Sequence, residues 1–393
     1  MGPPRGPVSY RPSLPIARLA IAACQNPLPG PPAADRILVL RLGAVGDVVR
    51  TLPAVSRLRS AWPGAHIGWL VEPAAASALE GQPWIDEVLV FPRPALARAL
   101  RQRELARLSR ELGQFVRGLR RQRFDLVLDF HSLLRSALLS RLSGARRRVS
   151  YAPPFSRERA HWLATDRARL VPRRMSRFER NAALVDYLGV RAAPAPLPFA
   201  VDGRARARME ARLSPGRVPV LLHPGTSDGT PYKRYPVRAY AAVARALAAQ
   251  EGLPSVVSFG PGRDDAALAR EVVESSEGAA RLAPETRSLA ELAVLLASCR
   301  LFIGGDTGPL HLASLVGTPV VQLLGPTDPV ENAPWPGTPS RTLRVPLACS
   351  PCRRGCPAAL CMRSIPPEAV VAAARELLAP ERALVSAAAR EAG

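Results

Sequence analysis

Arg300-Leu-Phe-Ile-Gly-Gly-Asp306-Thr307-Gly308-Pro309-Leu310-His311-Leu-Ala-Ser-Leu-Val-Gly317-Thr-Pro-Val-Val-Gln-Leu-Leu-Gly325-Pro326-Thr327-Asp328-Pro329 reads as strand, turn, helix, strand, turn. Apolar residues 301–303 fit a buried parallel strand, and the small polar turn at 304–308 lets backbone approach a ligand. Pro309 suits the first turn of a helix, so the amides of 306–308 face outward from a helix start, where an anion is stabilised. The second polar turn, Gly325 to Pro329, closes the next strand. Two neighbouring strand ends then open on one crevice, the ligand position of an open parallel sheet.

Outward from this stretch the same alternation continues. Toward the amino terminus, the strand pattern at 218–223 runs into Pro224-Gly225-Thr226-Ser227-Asp228-Gly229-Thr230-Pro-Tyr-Lys233-Arg234-Tyr235-Pro236, a polar loop beside a helix start and again suited to phosphate. Strands at 255–259, 280–282, 301–303 and 320–324 alternate with amphipathic helices. The first half repeats the theme with a strand at 36–42, the turn Gly43-Ala-Val-Gly46-Asp47, and a helix at 48–62. Strands at 66–71 and 87–91, an arginine-rich helix from about 95 to 121, and a strand at 124–130 follow. The next helix opens with Asp129-Phe-His131-Ser132-Leu-Leu-Arg135-Ser136. Asp47 at a helix start reads as an N-cap or as a group facing a ligand, and His131 as a base or as a hydrogen-bonded structural residue. A Gly-x-Gly-x-x-Gly fingerprint is absent, which disfavours a nicotinamide enzyme.

The fold class expected is therefore α/β, two Rossmann-like parallel-sheet domains facing across a cleft. Residues 1–34 are expected to be a disordered extension, 35–190 the first domain, 191–216 a linker, 217–365 the second domain, and 366–393 a helical segment that crosses back to brace the first. Leu14-Pro-Ile-Ala-Arg18-Leu-Ala-Ile-Ala-Ala-Cys24 superficially resembles a lipoprotein signal, but Pro15 and Arg18 interrupt its apolar core. No uninterrupted apolar run is long enough to span a membrane.

A formal net charge of +22, with arginines concentrated at 98–123, 141–148 and 157–180, selects anionic partners: nucleic acid, lipid headgroups or phosphorylated substrates. A basic nucleic-acid-binding protein is the alternative of a different class. An aromatic content of 5% offers few stacking platforms, and no recognition-helix or zinc-finger spacing occurs, so nucleic acid is not the expected partner. Lys233 is the sole lysine among 54 basic residues, in a chain whose Arg, Ala, Pro and Gly content points to GC-rich coding. A compact ammonium kept against that bias hints at a specific anion contact. Cys349-x2-Cys352-x3-Cys356-x4-Cys361 is chemically able to hold a tetrathiolate metal, but its spacings are tighter than paired knuckles, and packed free thiols are the reading preferred.

Taken together, Gly46-Asp47-Val-Val-x-Thr-Leu-Pro53, the segment from Asp129 to Ser136, His223-Pro-Gly-Thr-Ser with Lys233-Arg-Tyr-Pro, Gly305-Asp-Thr-Gly-Pro-x-His311, and Gly325-Pro-Thr-Asp-Pro329 resemble glycosyltransferase family 9, the bacterial lipopolysaccharide heptosyltransferases of the GT-B fold. The likeness runs from about residue 36 to 365 and includes the cysteine segment; Tyr235 stands where tryptophan is usual. The resemblance implies an amino-terminal acceptor domain and a carboxy-terminal domain holding ADP-heptose. It implies Asp47 as catalytic base, Lys233 at the departing diphosphate, and Thr226, Ser227, Asp264, Asp306, Thr307, Gly308 and His311 around the donor. Gly46, His131 and Arg135 then meet an anionic, lipid-linked core acceptor at the cytoplasmic face of the inner membrane. A base, a cation and helix-start amides suffice for sugar transfer from a nucleotide diphosphate, and no paired-carboxylate metal motif accompanies them. The expected reaction is a metal-independent, inverting single displacement without cofactor. A family relative using another nucleotide sugar or acceptor is the nearest alternative.

Overall fold

The computed structural model describes residues 8–10, 24–196, 198–201, 203–213, 220–352 and 355–391, with side chains between 24 and 379. In chain order the strands are β1 (Val8–Tyr10), β2 (Arg36–Leu40), β3 (His66–Val71), β4 (Glu87–Val90), β5 (Leu126–Asp129), β6 (Arg147–Tyr151), β7 (Asp166–Ala168), β8 (Val220–His223), β9 (Ser255–Val257), β10 (Ala280–Leu282), β11 (Phe302–Gly305), β12 (Val320–Leu323) and β13 (Ser340–Arg344). Contacts divide the chain into two units between Ala200 and Val201, inside the stretch 191–216 that composition marks as linker.

Among the described residues, the first unit is built on a parallel sheet in the order β4-β3-β2-β5-β6-β7. The second is built on β10-β9-β8-β11-β12-β13, also parallel, with β1 added antiparallel at its edge. Numbered within each unit, both parallel sheets follow 3-2-1-4-5-6, the doubly wound order, whose connections reverse between the first and fourth strands. Helices cover both faces, so the central strands are apolar along their length: Ile37 to Leu40, Leu126 to Leu128, Val220 to Leu222 and Phe302 to Ile303 are all fully or almost fully buried. That double burial is why unbroken apolar runs, rather than alternation, betray these strands.

Several elements differ from expectation, each for a local reason. The helix at 48–62 is two helices, Val45–Val49 and Leu52–Ala61, because Pro53 lacks an amide and takes a first-turn position in the second. The helix at 95–121 is a hairpin of Arg93–Arg101 and Leu105–Arg121, reversed at Arg103 with φ 56°. Between the strand at 124–130 and the linker, β6, β7 and the helix Arg177–Tyr187 complete the first unit. Part of the linker is a helix, Gly203–Glu210, which packs on Leu289–Ala297 with Arg208 paired to Glu291 at 2.9 Å.

The disordered extension at 1–34 is corrected where it is described. β1 pairs Ser9 with Leu343 on the free edge of β13. Residues 24–34 lie on the first unit: the Gln25 amide donates to the Arg169 carbonyl (2.9 Å), that of Leu28 to Tyr187 (2.7 Å), and Trp62 Nε1 to Pro32 (3.0 Å). A proline-rich segment has no periodicity to read, yet its polar backbone is satisfied by the body it lies on. The rest of 1–34 lies outside the described residues. The terminal helix Pro367–Glu391 packs on its own unit, against Val237–Glu251, β12 and β13, with Val370, Ala374 and Leu378 in that unit's core. No helix among the described residues is long and apolar enough to cross a membrane.

Candidate functional site

In each unit a polar cluster sits at the carboxyl ends of the two strands where the winding reverses, the position this topology reserves for ligands. In the first unit these strands are β2 and β5. Asp47 is the third residue of Val45–Val49, and Ala44 occupies the cap position, so the carboxylate is not an N-cap. It meets arginines instead. Arg41, just past β2, pairs with one carboxylate oxygen, Arg50 Nη2 lies 2.6 Å from the other, and Arg177 Nη1 approaches to 3.6 Å. Burial opposes ionisation here and is the largest single influence, but Arg41, Arg50, Arg177 and Arg180 together overcome it and hold Asp47 far below the usual carboxylate range.

Arg180 stands beside the same cluster. It faces the rings of Tyr151 (5.5 Å) and Phe155 (6.0 Å), and its buried Nε has no hydrogen-bond partner among the described residues. Burial pulls its guanidinium below the usual arginine value. Arg41 also anchors itself on the Phe130 carbonyl at 2.7 Å, which fixes its direction toward Asp47. Gly46 lies on the same turn, and its carbonyl accepts from Arg50 Nε at 3.1 Å.

Asp129, at the end of β5, organises the loop beside this cluster. One oxygen accepts the amides of His131 and Ser132, both at 2.9 Å, and the other accepts the Ser136 hydroxyl at 2.8 Å. Full burial outweighs these donors and pushes its carboxyl up to about 6. His131 is drawn down to about 3 by burial and by Arg41 and Arg135, so its ring is neutral at pH 7, with Nδ1 buried and without a hydrogen-bond partner among the described residues. Arg135 pairs with Glu72 at 3.1 Å, and Glu72 also holds Arg93 at 3.0 Å. The structure thus brings Asp47, Gly46, His131 and Arg135 to one end of one sheet.

In the second unit the corresponding strands are β8 and β11. Asp306 follows β11 and is a junction: Lys233 Nζ donates to Oδ2 at 3.1 Å, the Thr327 hydroxyl donates to the same oxygen at 3.0 Å, and His311 Nε2 lies 3.3 Å from Oδ1. Thr307 is the extended cap residue of Gly308–Leu315, but its hydroxyl donates backward to the Gly305 carbonyl at 3.3 Å rather than capping the helix. A cation and a helix start with its positive end therefore lie side by side, an arrangement suited to a diphosphate.

Thr226 and Asp264 belong to a neighbouring cluster through Arg234, whose Nε donates to the Thr226 hydroxyl at 3.2 Å and whose Nη1 reaches Asp264 at 3.3 Å. Ser227 shapes the loop through its carbonyl, which accepts the Thr230 amide at 2.8 Å. Asp264 is exposed at the cap of Asp265–Ser275, whereas its neighbour Asp265 is buried. A Cβ at Gly225, Gly260 or Gly262 would lie within 2.9 Å of the Asp265 carboxyl, so these glycines exist to let two loops close on that acid. Burial raises Asp265 above the usual range against the Gly260 and Gly262 amides. Of the two neighbouring acids, the one that the resemblance assigns to the donor, Asp264, is the exposed one.

Cys349, Cys352, Cys356 and Cys361 are free, and among the described residues no three metal-ligating side chains gather. The segment that carries them packs over the loop after β12: the Cys352 amide donates to the Pro326 carbonyl at 3.0 Å, and a Cβ on Gly325 would meet Cys361 Sγ and Met362 Sδ at 2.6 Å.

The model of glycosyltransferase family 9 (heptosyltransferase) matches residues 112–361. Lipopolysaccharide heptosyltransferase 3 of Escherichia coli is 27% identical over 303 residues, which cover 74% of this chain and 83% of that protein. Lipopolysaccharide heptosyltransferase 1 of Pseudomonas aeruginosa is 28% identical over 323 residues, 81% and 86% of the two chains. Among solved structures, a glycosyl transferase family 9 protein from Veillonella parvula superposes with a TM-score of 0.69 at 23% identity, covering 92% and 99% of the chains. The E. coli heptosyltransferase WaaC with ADP-2-deoxy-2-fluoro heptose superposes with a TM-score of 0.65 at 23% identity, covering 85% and 97%.

Proposed function

The chain belongs to glycosyltransferase family 9, and from that premise we propose that it is an inverting glycosyltransferase moving heptose from ADP-heptose to an acidic, lipid-linked inner-core acceptor of lipopolysaccharide. The observation that supports the acceptor half is the carboxylate of Asp47 with Arg41, Arg50 and Arg177 gathered around it, a concentration of guanidinium groups suited to an anionic ligand. In the donor half, Lys233 and the start of Gly308–Leu315 stand where a departing diphosphate gains most from positive charge.

Asp47 removes the proton of the acceptor hydroxyl; the oxygen attacks the anomeric carbon from the face opposite the diphosphate; the carbon–oxygen bond to ADP breaks, and its electron pair leaves with ADP. Asp306 holds the Lys233 ammonium beside the helix start so that this charge meets a prepared cation. A carboxylate held so far down is a poor base. Acid groups of the acceptor that engage Arg41, Arg50 or Arg177 relieve that depression, which makes proton removal depend on an anionic acceptor. Lys233 and the amides at the start of Gly308–Leu315 are placed to supply the positive charge that a divalent cation supplies in other transferases, which supports a metal-independent transfer. The enzyme works as a peripheral protein at the cytoplasmic face of the inner membrane, where such acceptors are made.

Thermal-shift comparison of ADP, UDP and GDP sugars, followed by transfer to a core acceptor with and without chelator, tests this reading. Selective stabilisation by ADP-heptose and chelator-insensitive transfer with inversion are expected. Stabilisation by a UDP or GDP sugar alone would move the chain to a different donor class.

A further inference from the structure

The helical hairpin of Arg93–Arg101 and Leu105–Arg121 is rooted in the first unit but does not finish there. The apolar stripe of its second helix runs through Leu105, Leu108, Leu112, Phe115, Val116 and Leu119, a spacing that keeps them on one face. Burial fades along that stripe. Leu119 is buried, and Phe115 packs on the core with its ring edge-on to Phe91 at 5.3 Å, whereas Leu112 is 38% and Leu105 64% exposed. Leu100, at the end of the first helix, is 59% exposed, and every residue from 100 to 106 is exposed. An amphipathic helix that leaves the core while its apolar stripe continues needs another apolar phase to cover it.

The charge around the tip says which phase. Residues 93–112 hold six arginines and two glutamates. Both glutamates are taken by one arginine: Arg107 pairs with Glu104 at 3.1 Å and Glu111 at 2.8 Å. Arg98, Arg101, Arg103 and Arg110 are exposed and have no carboxylate partner among the described residues. Leucines at a projecting turn, ringed by guanidiniums, match a layer that is apolar within and anionic at its surface, since the leucines enter the acyl boundary while the arginines stay among phosphates. The hairpin's base is tied to the acceptor cluster, because Arg93 and Arg135 share Glu72.

We propose that the Leu100–Leu105 tip is a membrane-docking surface that enters the headgroup layer of an anionic bilayer and so brings the acceptor cluster to a lipid-linked substrate. Docking stands on the hairpin alone; its use in presenting substrate rests on the transferase reading above. The test is co-sedimentation of the full chain, without substrates, on phosphatidylglycerol-containing vesicles and on pure phosphatidylcholine vesicles. Binding to the anionic vesicles alone is expected, with loss of at least about tenfold in partitioning for Leu100→Ser/Leu105→Ser and for Arg101→Glu/Arg103→Glu. Leu105→Trp, read by added quenching from brominated lipids, should report insertion at this residue. Transfer to a water-soluble, delipidated acceptor should be unchanged in the serine variant, while transfer to vesicle-embedded acceptor falls. Unchanged vesicle binding in both double variants, or no added quenching in Leu105→Trp, overturns the proposal. So does vesicle-free self-association that the serine variant abolishes, which would make the tip an interface between copies. Vesicle binding that follows these variants, in a protein that transfers no sugar, would leave the surface standing and remove the transferase reading.

Discussion

Replacing Asp47 by Asn should damage stability and turnover together, because the same carboxylate that serves as base also compensates the arginines around it. Its side chain is 20% exposed, while those of Arg41 and Arg50 are 8% and 6% exposed, so the pairs are largely removed from water. Breaking a buried ion pair from one side costs about 3–5 kcal/mol, and the partial exposure of Asp47 together with the retained amide oxygen of Asn reduces this to about 2–3 kcal/mol. For a unit of this size that is roughly 5–10 °C in melting temperature. Loss of the base should cost on the order of 100- to 10,000-fold in turnover, with donor affinity unaffected. Sign and pH window follow from the depressed folded-state value of Asp47. The carboxylate's contribution is complete above the ordinary aspartate range near about 4 and is lost as pH falls below it, where the unfolded chain takes up a proton that the folded chain refuses. The melting-temperature gap between wild type and Asp47→Asn should accordingly be full at pH 7 and narrow in acid. Wild-type turnover by the variant at saturating substrates, or a gap that widens toward acid pH, would refute the assignment of Asp47 as both base and counter-charge.

Lys233→Ala should weaken ADP binding by about tenfold to a hundredfold, as loss of a charge-assisted contact does, and Lys233→Arg should recover only part of it, because a planar fork replaces a point charge; calorimetric titration with ADP reads both. Burial raises Asp129 to about 6, so its contribution to stability is present below the ordinary aspartate range and is lost as pH rises through about 6. Asp129→Asn should flatten the melting temperature of the first unit between about pH 4 and 6, and an unchanged profile would show that the shift lies elsewhere. Gly325→Ala places a methyl 2.6 Å from Cys361 Sγ and Met362 Sδ, so the second unit's transition should drop by about 1–3 kcal/mol, measured by calorimetry, with the first unit's transition unmoved.

The parts of this molecule that were legible in the chain are those whose causes are local in sequence. Central strands buried on both faces must be apolar throughout, so β2, β3, β8, β11 and β12 announce themselves. β6 and β7 do not, because they are short and charged: Arg147 and Arg148 open β6, Asp166 and Arg167 open β7, and Arg147 pairs with Asp166 across the two strands at 3.1 Å. Asp306 could be singled out because it lies in the turn immediately after β11, and Asp47 and His311 because they lie in the helices that follow β2 and β11. Arg177 and Arg180 could not: they reach Asp47 from a distant helix, and in a chain whose cations are almost all arginine nothing in composition separates them from their neighbours. The exception runs the other way. Lys233 stands out against that same background, and its ammonium lands 3.1 Å from an Asp306 oxygen that also accepts the Thr327 hydroxyl. A guanidinium spreads its charge over a rigid plane and is best matched by two acceptors in that plane, while Asp306 offers one oxygen already shared and the other facing His311. A point charge suits such a junction, and that is a physical reason for a lysine to persist where the coding bias favours arginine.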